Sequence, residues 1–278
     1  MRKLVFAWMA AVLALGCTKE KIATEPCRFD ITVDLVTGSK IQATITPEDE
    51  NACYLFSFLS SDQPQYDWND AELTDFQLGW MEDMYQNVQE SGGVSSFLDM
   101  FGYKGPRTIR SLQFHDDMDY RLTVIQINPE TREAVGPVHR VDIHTKPIKK
   151  TDITFRIQYG GDLLRIIPSN DNDTWFWEYE KESLIIGTYS TPYFFFYSVI
   201  DMYEQYGFLE NQICKGREEC KLTRDDHSFK PDTVYTLCLS GCEDGEITSE
   251  VYYLDFIYQN GQISFLAVPE SVLLEPLN

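Results

Sequence analysis

The sequence has few of the side chains on which most catalytic sites depend. Its 278 residues include only four histidines, and these form no cluster. His139 and His144 are five positions apart on a predicted strand, so they face opposite sides of it and cannot share a metal ion. No pair of cysteines has the spacing of a zinc ribbon, and the sequence contains no phosphate-binding loop or nucleophile elbow. These absences predict no metal site and no cofactor, and we expect the protein not to be an enzyme.

Positive charge is also scarce. The chain has 23 lysines and arginines against 44 aspartates and glutamates, which gives a net charge of -21. A surface this acidic repels the phosphates of nucleic acids and of anionic lipid head groups. We therefore exclude nucleic acid and anionic membrane surfaces as partners.

Long apolar runs are absent after the N-terminal segment. Arg2 and Lys3 precede an apolar run at Leu4–Leu15, which is too short to span a bilayer. The run ends in Ala14-Leu15-Gly16-Cys17, which resembles the lipobox of bacterial lipoproteins with the sizes of Ala14 and Leu15 exchanged. We expect cleavage before Cys17 and lipidation of its thiol; the alternative is an ordinary signal peptide with an incidental cysteine. Thr18 is not the Asp that favours inner-membrane retention, so we expect an outer-membrane lipoprotein on either face of that membrane.

A nine-residue stretch occurs twice. Phe114–Leu122 and Phe229–Leu237 each lead from an apolar residue through a turn to a tyrosine, Tyr120 or Tyr235. A strand with apolar residues at alternate positions begins at each tyrosine. A chain crosses between the two sheets of a β-sandwich in this way, and the tyrosine hydroxyl bonds to the backbone of the corner.

The spacing of other features indicates a tandem duplication. Pro168 follows Pro47 by 121 residues, and Trp175 follows Tyr54 by the same 121. Each Pro precedes an acidic loop and then a strand rich in aromatic residues. Identical spacing in both halves favours two copies of one structural plan.

Each copy next contains a helical pattern. In the first copy, Thr74 and Gln77 predict a capping box. The apolar residues that recur every four positions after it are Phe76, Trp80, Met84 and Val88, and they give the helix an apolar face. In the second copy, Thr191-Pro192 predicts the start of a helix and Gly207 its end. Its run Tyr193–Tyr197 favours burial, with a hydrophobic partner surface as the alternative.

The order of elements in each copy resembles a fibronectin type III-like sandwich. Phe229–Tyr235 is close to the corner motif of that family, whereas the first copy has Asp116 where the motif has proline. The arrangement also resembles repeat domains in lipoproteins of the Bacteroidota. The resemblance implies a mainly β fold with helical insertions, built as two tandem Ig/fibronectin III-like β-sandwiches in which the helices replace the middle edge strand.

The expected boundaries follow from these patterns. They are a lipoprotein signal peptide at 1–16, a tether at 17–26, a first Ig-like domain with a helical insert at 27–145, a linker at 146–151, a second Ig-like domain with a helical insert at 152–259, and a C-terminal extension at 260–278.

Three aromatic residues on one strand form the first candidate ligand site. Trp175, Trp177 and Tyr179 share one face, which would make a sugar-stacking platform if it were exposed. We favour the alternative that they fill the sandwich core, because Tyr54 and Phe56 repeat the pattern in the first copy.

If Cys17 carries lipid, an even number of cysteines remains for disulfides in an exported chain. These are Cys27, Cys53, Cys214, Cys220, Cys238 and Cys242. In the topology that the resemblance implies, Cys27 and Cys53 start strands at the same pole, which makes a bridge between them a hypothesis. Bridges among the four cysteines of the second copy are a further hypothesis, and free buried thiols are the alternative.

Two further motifs have an unremarkable structural explanation. The acidic loops 48–50 and 171–173 offer oxygen ligands but lack the pattern of a calcium loop, so we favour solvated loops. Asp232-Thr233-Val234 resembles an O-glycosylation acceptor motif with Thr233 modified, and the same residues are explained by the corner.

The leading prediction is a non-catalytic cell-envelope lipoprotein that acts as a binding or structural module. One alternative is a glycan-binding component of a polysaccharide-uptake system, which requires Trp175 and Trp177 to be exposed. Another is an accessory of adhesion or pilus-like assembly with a protein partner, which would show as an unpaired edge groove or as a strand from Ile263 that is not folded on its own domain. An enzyme would require a deep polar cleft at the helical inserts.

Overall fold

The computed structural model describes residues 22–93, 95–221, 229–230 and 232–277. The predicted signal peptide, the lipidation site Cys17 and the first half of the tether lie outside these residues. The chain divides into two compact units. Unit 1 comprises the described residues through Val36, Gln42–Arg110 and Met118–His144, and unit 2 comprises Thr37–Ile41, Ser111–Asp117 and the residues from Thr145 onward.

The first β-sandwich is formed by two antiparallel sheets. Its strands are β1 (Phe29–Val36), β2 (Lys40–Pro47), β3 (Cys53–Ser60), β4 (Tyr103–Lys104), β5 (Arg107–Leu112), β6 (Asp119–Asn128), β7 (Glu133–Ala134) and β8 (His139–His144). The smaller sheet has the order β1-β2-β5. In the larger sheet β4 pairs with β3, β3 with β6, and β6 with both β7 and β8. This is a fibronectin type III-like topology, as predicted.

The second β-sandwich repeats this plan and extends it. Its strands are β9 (Phe155–Gly160), β10 (Leu163–Pro168), β11 (Thr174–Lys181), β12 (Cys214–Lys215), β13 (Glu218–Lys221), β14 (Tyr235–Glu243), β15 (Glu246–Ile247), β16 (Tyr252–Gln259), β17 (Gln262–Ala267) and β18 (Leu273–Pro276). The smaller sheet has the order β13-β10-β9-β18 and the larger one β12-β11-β14-β16-β17, with β15 beside β14. Corresponding strands therefore pair in the same way in both units.

We expected the helices to replace the middle edge strand, and this prediction was wrong. The strand is present but shortened. In unit 1, β4 follows the helical insert and pairs with the start of β3, where Tyr103 stands opposite Tyr54. In unit 2, β12 pairs with the start of β11, where Cys214 stands opposite Trp175. The insert thus lengthens the connection between two neighbouring strands and leaves the order of the sheet unchanged.

Each sandwich has a core between its two sheets. In unit 1, the ring of Phe29 on β1 packs edge-on against Tyr54 on β3, with 5.3 Å between ring centroids. In unit 2, Ile157 and Leu164 of the smaller sheet pack with Trp175 and Leu237 of the larger sheet.

A second core lies on the opposite face of each larger sheet, under the helices. On β3, Cys53 and Leu55 are buried against helical residues Leu73 and Phe97. On β11, Phe176 is buried against Phe196. The central strands are therefore buried on both faces, which explains why they read as nearly continuous apolar runs.

The helices of unit 1 are α1 (Asp70–Glu90) and α2 (Phe97–Phe101), and a short 3₁₀ turn at Pro64–Asp67 precedes them. The capping box of α1 is formed by Asn69 and Glu72, so the predicted box at Thr74 and Gln77 was wrong by about one turn. The Asn69 side chain accepts from the amides of Ala71 and Glu72, and the Glu72 carboxylate accepts from the Asn69 amide. The helix can start there because Asn is a preferred N-cap residue.

The helices of unit 2 are α3 (Glu182–Leu184), which continues into a π-helical turn at Ile185–Tyr189, and α4 (Pro192–Gln205). As predicted, α4 has Thr191 as its N-cap and Pro192 at the first helical position. Among the described residues, no helix is both long enough and apolar enough to cross a membrane.

The C-terminal extension folds onto its own unit. Asn260 and Gly261 both have positive φ values, 52° and 77°, and form the tight turn between β16 and β17. Ile263 on β17 is buried in the sandwich core, and β18 pairs in parallel with β9. The feature expected of donor-strand exchange, a C-terminal strand left off its own domain, is therefore contradicted.

The corner that the sequence predicted is present in unit 2. The hydroxyl of Tyr235 accepts a hydrogen bond from the backbone amide of Lys230 at 3.1 Å. The corresponding Tyr120 of unit 1 is buried. Tyr120 and Tyr235 are thus residues of the fold.

One buried polar group in unit 1 lacks a partner. Gln77 lies on the buried face of α1, where its amide nitrogen donates to the hydroxyl of Ser57. Its carbonyl oxygen Oε1 is buried without a hydrogen bond. The position 118 residues later is Phe195, which is buried in the helix-side core of unit 2. An apolar side chain therefore suits this position of the fold.

We predict that Gln77→Leu raises the free energy of unfolding by about 1 kcal/mol, because it removes the unpaired carbonyl. Ser57 keeps the hydroxyl of Thr123 at 2.7 Å as its partner. Urea denaturation measures the change, with Gln86→Leu at an exposed position of the same helix as the control. A loss of 1 kcal/mol or more in Gln77→Leu alone would contradict the prediction.

Candidate functional site

The insert of unit 1 carries an exposed apolar surface on α1. Its side chains are Phe76, Trp80 and Met84, which are 46%, 54% and 38% exposed. We call these three residues the aromatic ridge. They lie at every fourth position, so they form one line along the helix about 12 Å long.

The face of α1 that contacts the sheet is the neighbouring one. Leu73 and Gln77 are buried, and Met81 and Tyr85 are partly buried against the helix-side core. The predicted apolar face is thus real, but the buried face is rotated from it by one residue, or about 100°. The sequence pattern could not separate the two faces, because both are apolar.

Neighbouring rings extend the apolar surface of the aromatic ridge beside Phe76 and Trp80. Trp68 packs edge-on against Phe76, with 5.3 Å between centroids and an angle of 84° between ring planes. Phe101 of α2 lies 6.4 Å from Trp80 at an angle of 57°. These contacts hold the exposed rings at steep angles to their neighbours, so the rings do not form one flat platform.

The surroundings of the aromatic ridge are acidic. The sequence of α1 contains six aspartates and glutamates and no lysine, arginine or histidine. Glu72, Asp75, Asp83 and Glu90 are exposed. By helical geometry, Glu72, Asp83 and Glu90 border the ridge on the side away from the sheet.

Two other carboxylates of α1 are neutralised by arginines. Burial by itself would raise the pKa of the Asp70 carboxyl. Hydrogen bonds from Arg140 and from the Val138 amide outweigh burial and lower this pKa below its ordinary value. Hydrogen bonds from Gln86 and Arg132 lower the pKa of Glu82. Both groups therefore stay charged, and their arginines are not available to neutralise the exposed carboxylates beside the ridge.

The second copy offers an internal comparison. Residues 118 positions after the aromatic ridge are Phe194, Ser198 and Met202 of α4. Phe194 and Met202 are exposed, as Phe76 and Met84 are, but a serine replaces the central tryptophan. The complete ridge is thus confined to the first copy within this alignment.

The predicted sugar platform is not available for binding. Trp175 is fully buried, and Trp177 and Tyr179 pack against the sandwich core. The glycan hypothesis for these residues was wrong, and the preferred alternative, core packing, is confirmed. The run Tyr193–Tyr197 is divided, because Phe195, Phe196 and Tyr197 are buried whereas Tyr193 and Phe194 are exposed.

The described cysteines form no disulfides with one another. These cysteines are Cys27, Cys53, Cys214, Cys238 and Cys242. Cys238 and Cys242 face the helix-side core, whereas Cys214 packs on the sandwich core across the same sheet. The sheet separates Cys214 from the other two, and Cys238 and Cys242 lie four positions apart on one extended strand, about 13 Å. The hypothesis of bridges among these three cysteines was wrong. Cys220 lies on β13, but its side chain is outside the described part of the chain.

The Cys27–Cys53 bridge is absent for a similar reason. Cys53 points into the helix-side core beneath α1. Cys27 precedes β1 of the other sheet, where its amide donates to the side-chain oxygen of Gln126. The two cysteines lie at the same end of the sandwich, but their sulfurs do not meet because Cys53 faces the helices and Cys27 adjoins the other sheet.

The remaining predicted sites lie on the surface of the fold. Thr233 is half-buried beside Asp232, which has a positive φ of 56° in the corner. In the acidic loops, Glu48 and Asp171 are exposed. Within the described ranges, no three His, Cys, Asp or Glu residues lie close enough together to hold a metal ion.

A cavity with a mixed polar and apolar lining is present at the end of the insert of unit 2. It has a volume of about 670 Å³ and is lined in part by Glu204, Glu243 and Cys242. Glu204 is held at 2.6 Å by the ammonium group of Lys40, a fully buried side chain of the same unit. Burial raises the pKa of the Cys242 thiol to about 12. The cavity therefore combines an ion-paired carboxylate with a thiol that is protonated at neutral pH.

Comparison with known proteins finds distant likenesses among solved structures only. No protein-family model matches the chain, and no curated protein matches it. Among solved structures, the FN1–FN3 domains of chicken CNTN1 are 11% identical over 82% of this chain, with a TM-score of 0.26, and this chain spans 62% of that protein's length. A segment of two fibronectin type III domains from chicken tenascin is 10% identical over 84% of this chain and 99% of the segment, with a TM-score of 0.23. At these scores no functional argument rests on either likeness.

We predict that the buried thiols of unit 2 are inert in the native protein. Burial raises the pKa of Cys238 as well as that of Cys242, and a shift of the Cys242 thiol to about 12 lowers its reactive thiolate fraction about a thousandfold at neutral pH. Iodoacetamide labelling followed by mass spectrometry should modify both residues only after unfolding in urea, with half-buried Cys27 as the comparison. Rapid labelling of Cys238 in the folded protein would contradict the burial described here.

Proposed function

We propose that the chain is a non-catalytic binding module of the bacterial cell envelope, anchored by lipid on Cys17. The proposal assigns binding to the aromatic ridge of α1. The fibronectin type III-like fold is consistent with a structural or binding module. The lipobox-like Ala14-Leu15-Gly16-Cys17 supports the anchor. Thr18, which is not the Asp that favours inner-membrane retention, supports the outer membrane.

One observation carries the assignment of the ridge to binding. Phe76, Trp80 and Met84 are large apolar side chains that are contiguous and remain exposed on an ordered helix. Contiguous exposed apolar surface of this kind is typical of interaction sites, whereas scattered apolar residues are ordinary. Covering half-exposed side chains of this size contributes roughly 1 kcal/mol each.

A ridge of this kind is not required by the fold. Leu73, Met81 and Tyr85 already provide the contacts that hold α1 on the sheet. The second copy folds in the same way with Ser198 in place of Trp80. An exposed tryptophan is therefore not required at this position for the unit to fold.

The two alternatives receive less support. The tryptophans that would stack a sugar are in the core, and the rings near the ridge are tilted by 57° and 84° to their neighbours, which disfavours a flat glycan platform. The strand from Ile263 is paired within its own unit, which disfavours donor-strand assembly. A protein partner at the ridge remains the better interpretation.

The anchor has a direct test. We predict that Cys17→Ser abolishes labelling with a fatty-acid analogue and moves the protein from the membrane fraction to the soluble fraction, because the acyl chains supply the attachment. Fractionation of cells that express either form measures the change. Unaltered membrane association in the variant would contradict lipid anchoring at this cysteine.

Binding at the ridge is tested by site-specific photo-crosslinking in cells. A benzophenone amino acid at position 80 should form crosslinked adducts, because the ridge is covered by its partner. The same amino acid at Tyr206, which is 70% exposed on unit 2, is the matched control and should form few. Equal adduct formation at the two positions, or none at position 80, would count against the proposed function.

A further inference from the structure

We infer that the aromatic ridge binds a basic amphipathic helix of another protein. This inference rests on the proposed function and deepens it by naming the chemistry of the partner. It draws on the shape of the ridge, on the charges around it and on the contrast with the second copy.

The shape of the ridge suits a helical partner. Side chains at every fourth position of a helix form a ridge that fits the groove between side chains of a second helix. Phe76, Trp80 and Met84 form such a ridge, and Trp68 and Phe101 continue its apolar surface at the flanks. Apolar residues at helical spacing on a partner would meet it along about two turns.

The charges beside the ridge specify a basic partner. Asp83 and Glu90, which border the ridge, are exposed and take part in no ion pair within the described ranges. Arg132 and Arg140, which lie close to α1, are already paired with Glu82 and Asp70. Lysines or arginines that flank the apolar stripe of a partner helix would face these carboxylates, and complementary charge favours association and correct orientation.

The same charges disfavour a membrane surface as the occupant. An amphipathic helix that lies on a bilayer has lysine and arginine on its polar face. The sequence of α1 has neither, and its carboxylates would be repelled by anionic lipid head groups. The exposed aromatic and methionine side chains are therefore better suited to a protein.

The corresponding helix of the second copy, α4, lacks both the central aromatic side chain and most of the exposed carboxylates. On α4 the line is Phe194, Ser198 and Met202, without a central aromatic ring. That helix carries only Asp201 and Glu204 as acidic residues, and Asp201 is buried. The central tryptophan and the exposed carboxylates thus occur together in the first copy, as expected if they serve one partner.

The experiment measures peptide binding to the full-length protein in nanodiscs of zwitterionic lipid. The probe is a fluorescent helical peptide of leucine and lysine, about 18 residues long, with leucine at helical spacing. Two comparison peptides have either the same composition with alternating leucine and lysine, or glutamate in place of lysine. We expect the helical leucine–lysine peptide to bind at least about tenfold more tightly than either of them.

Variants locate the binding on the protein. Trp80→Ser, which installs the residue of the second copy, should weaken binding about tenfold or more, because a central aromatic side chain is lost. Asp83→Asn with Glu90→Gln should weaken it about fivefold and reduce its dependence on salt. The controls Tyr206→Ser and Glu250→Gln with Glu270→Gln change exposed residues of unit 2 and should alter affinity by less than about twofold.

Each outcome supports or overturns the inference. Equal affinity for the leucine–glutamate peptide, or unchanged affinity in Trp80→Ser, would overturn it. Crosslinking at position 80 to a polysaccharide or lipid would overturn the partner class and leave the proposed binding role of the ridge intact. Absence of any crosslink at position 80 would instead remove the proposed function itself, so the two failures are distinguishable.

Discussion

The structure depends on the burial of its central strands on both faces. Leu55 on β3 and Phe176 on β11 point away from the sandwich core. Each would be exposed to water if no helix covered that face of the sheet. A β-sandwich covers only one face of each sheet. The insert between the third and fourth strands solves this problem in both units, because it places a helix over the outer face of the larger sheet.

The sequence predicted the features that arise from local chemistry. Repeated spacing of Pro47 and Pro168 located corresponding strands, and Thr191-Pro192 located the start of α4, because turns and helix caps are set by single residues. The face of α1 that contacts the sheet could not be predicted in this way. Leu73 and Phe76 begin two adjacent apolar lines, and only packing against the sheet determines which of them is buried. The disulfide hypothesis failed because a predicted pole does not specify the layer into which Cys53 or Cys214 points.

The candidate site was visible in the sequence, but its meaning was not. The spacing of Phe76, Trp80 and Met84 predicts one apolar face, and an apolar helical face is ordinarily buried. The informative signal was the number of apolar residues, which exceeds what one buried stripe needs: Leu73, Met81 and Tyr85 form a second line. The comparison with Ser198 in the second copy adds the evidence that one line is dispensable for folding.

The attachment of α1 has a consequence for the thermodynamics of association. A helix sealed to the sheet by Leu73 and its neighbours is already in one conformation before any partner arrives. A flexible loop that carried the same three side chains would lose backbone entropy of about 1–2 kcal/mol per residue on binding. Because α1 has already lost this freedom during folding, contact with the ridge costs only side-chain and rigid-body entropy. The three side chains of the ridge can therefore contribute more to affinity than the same side chains would on a flexible loop.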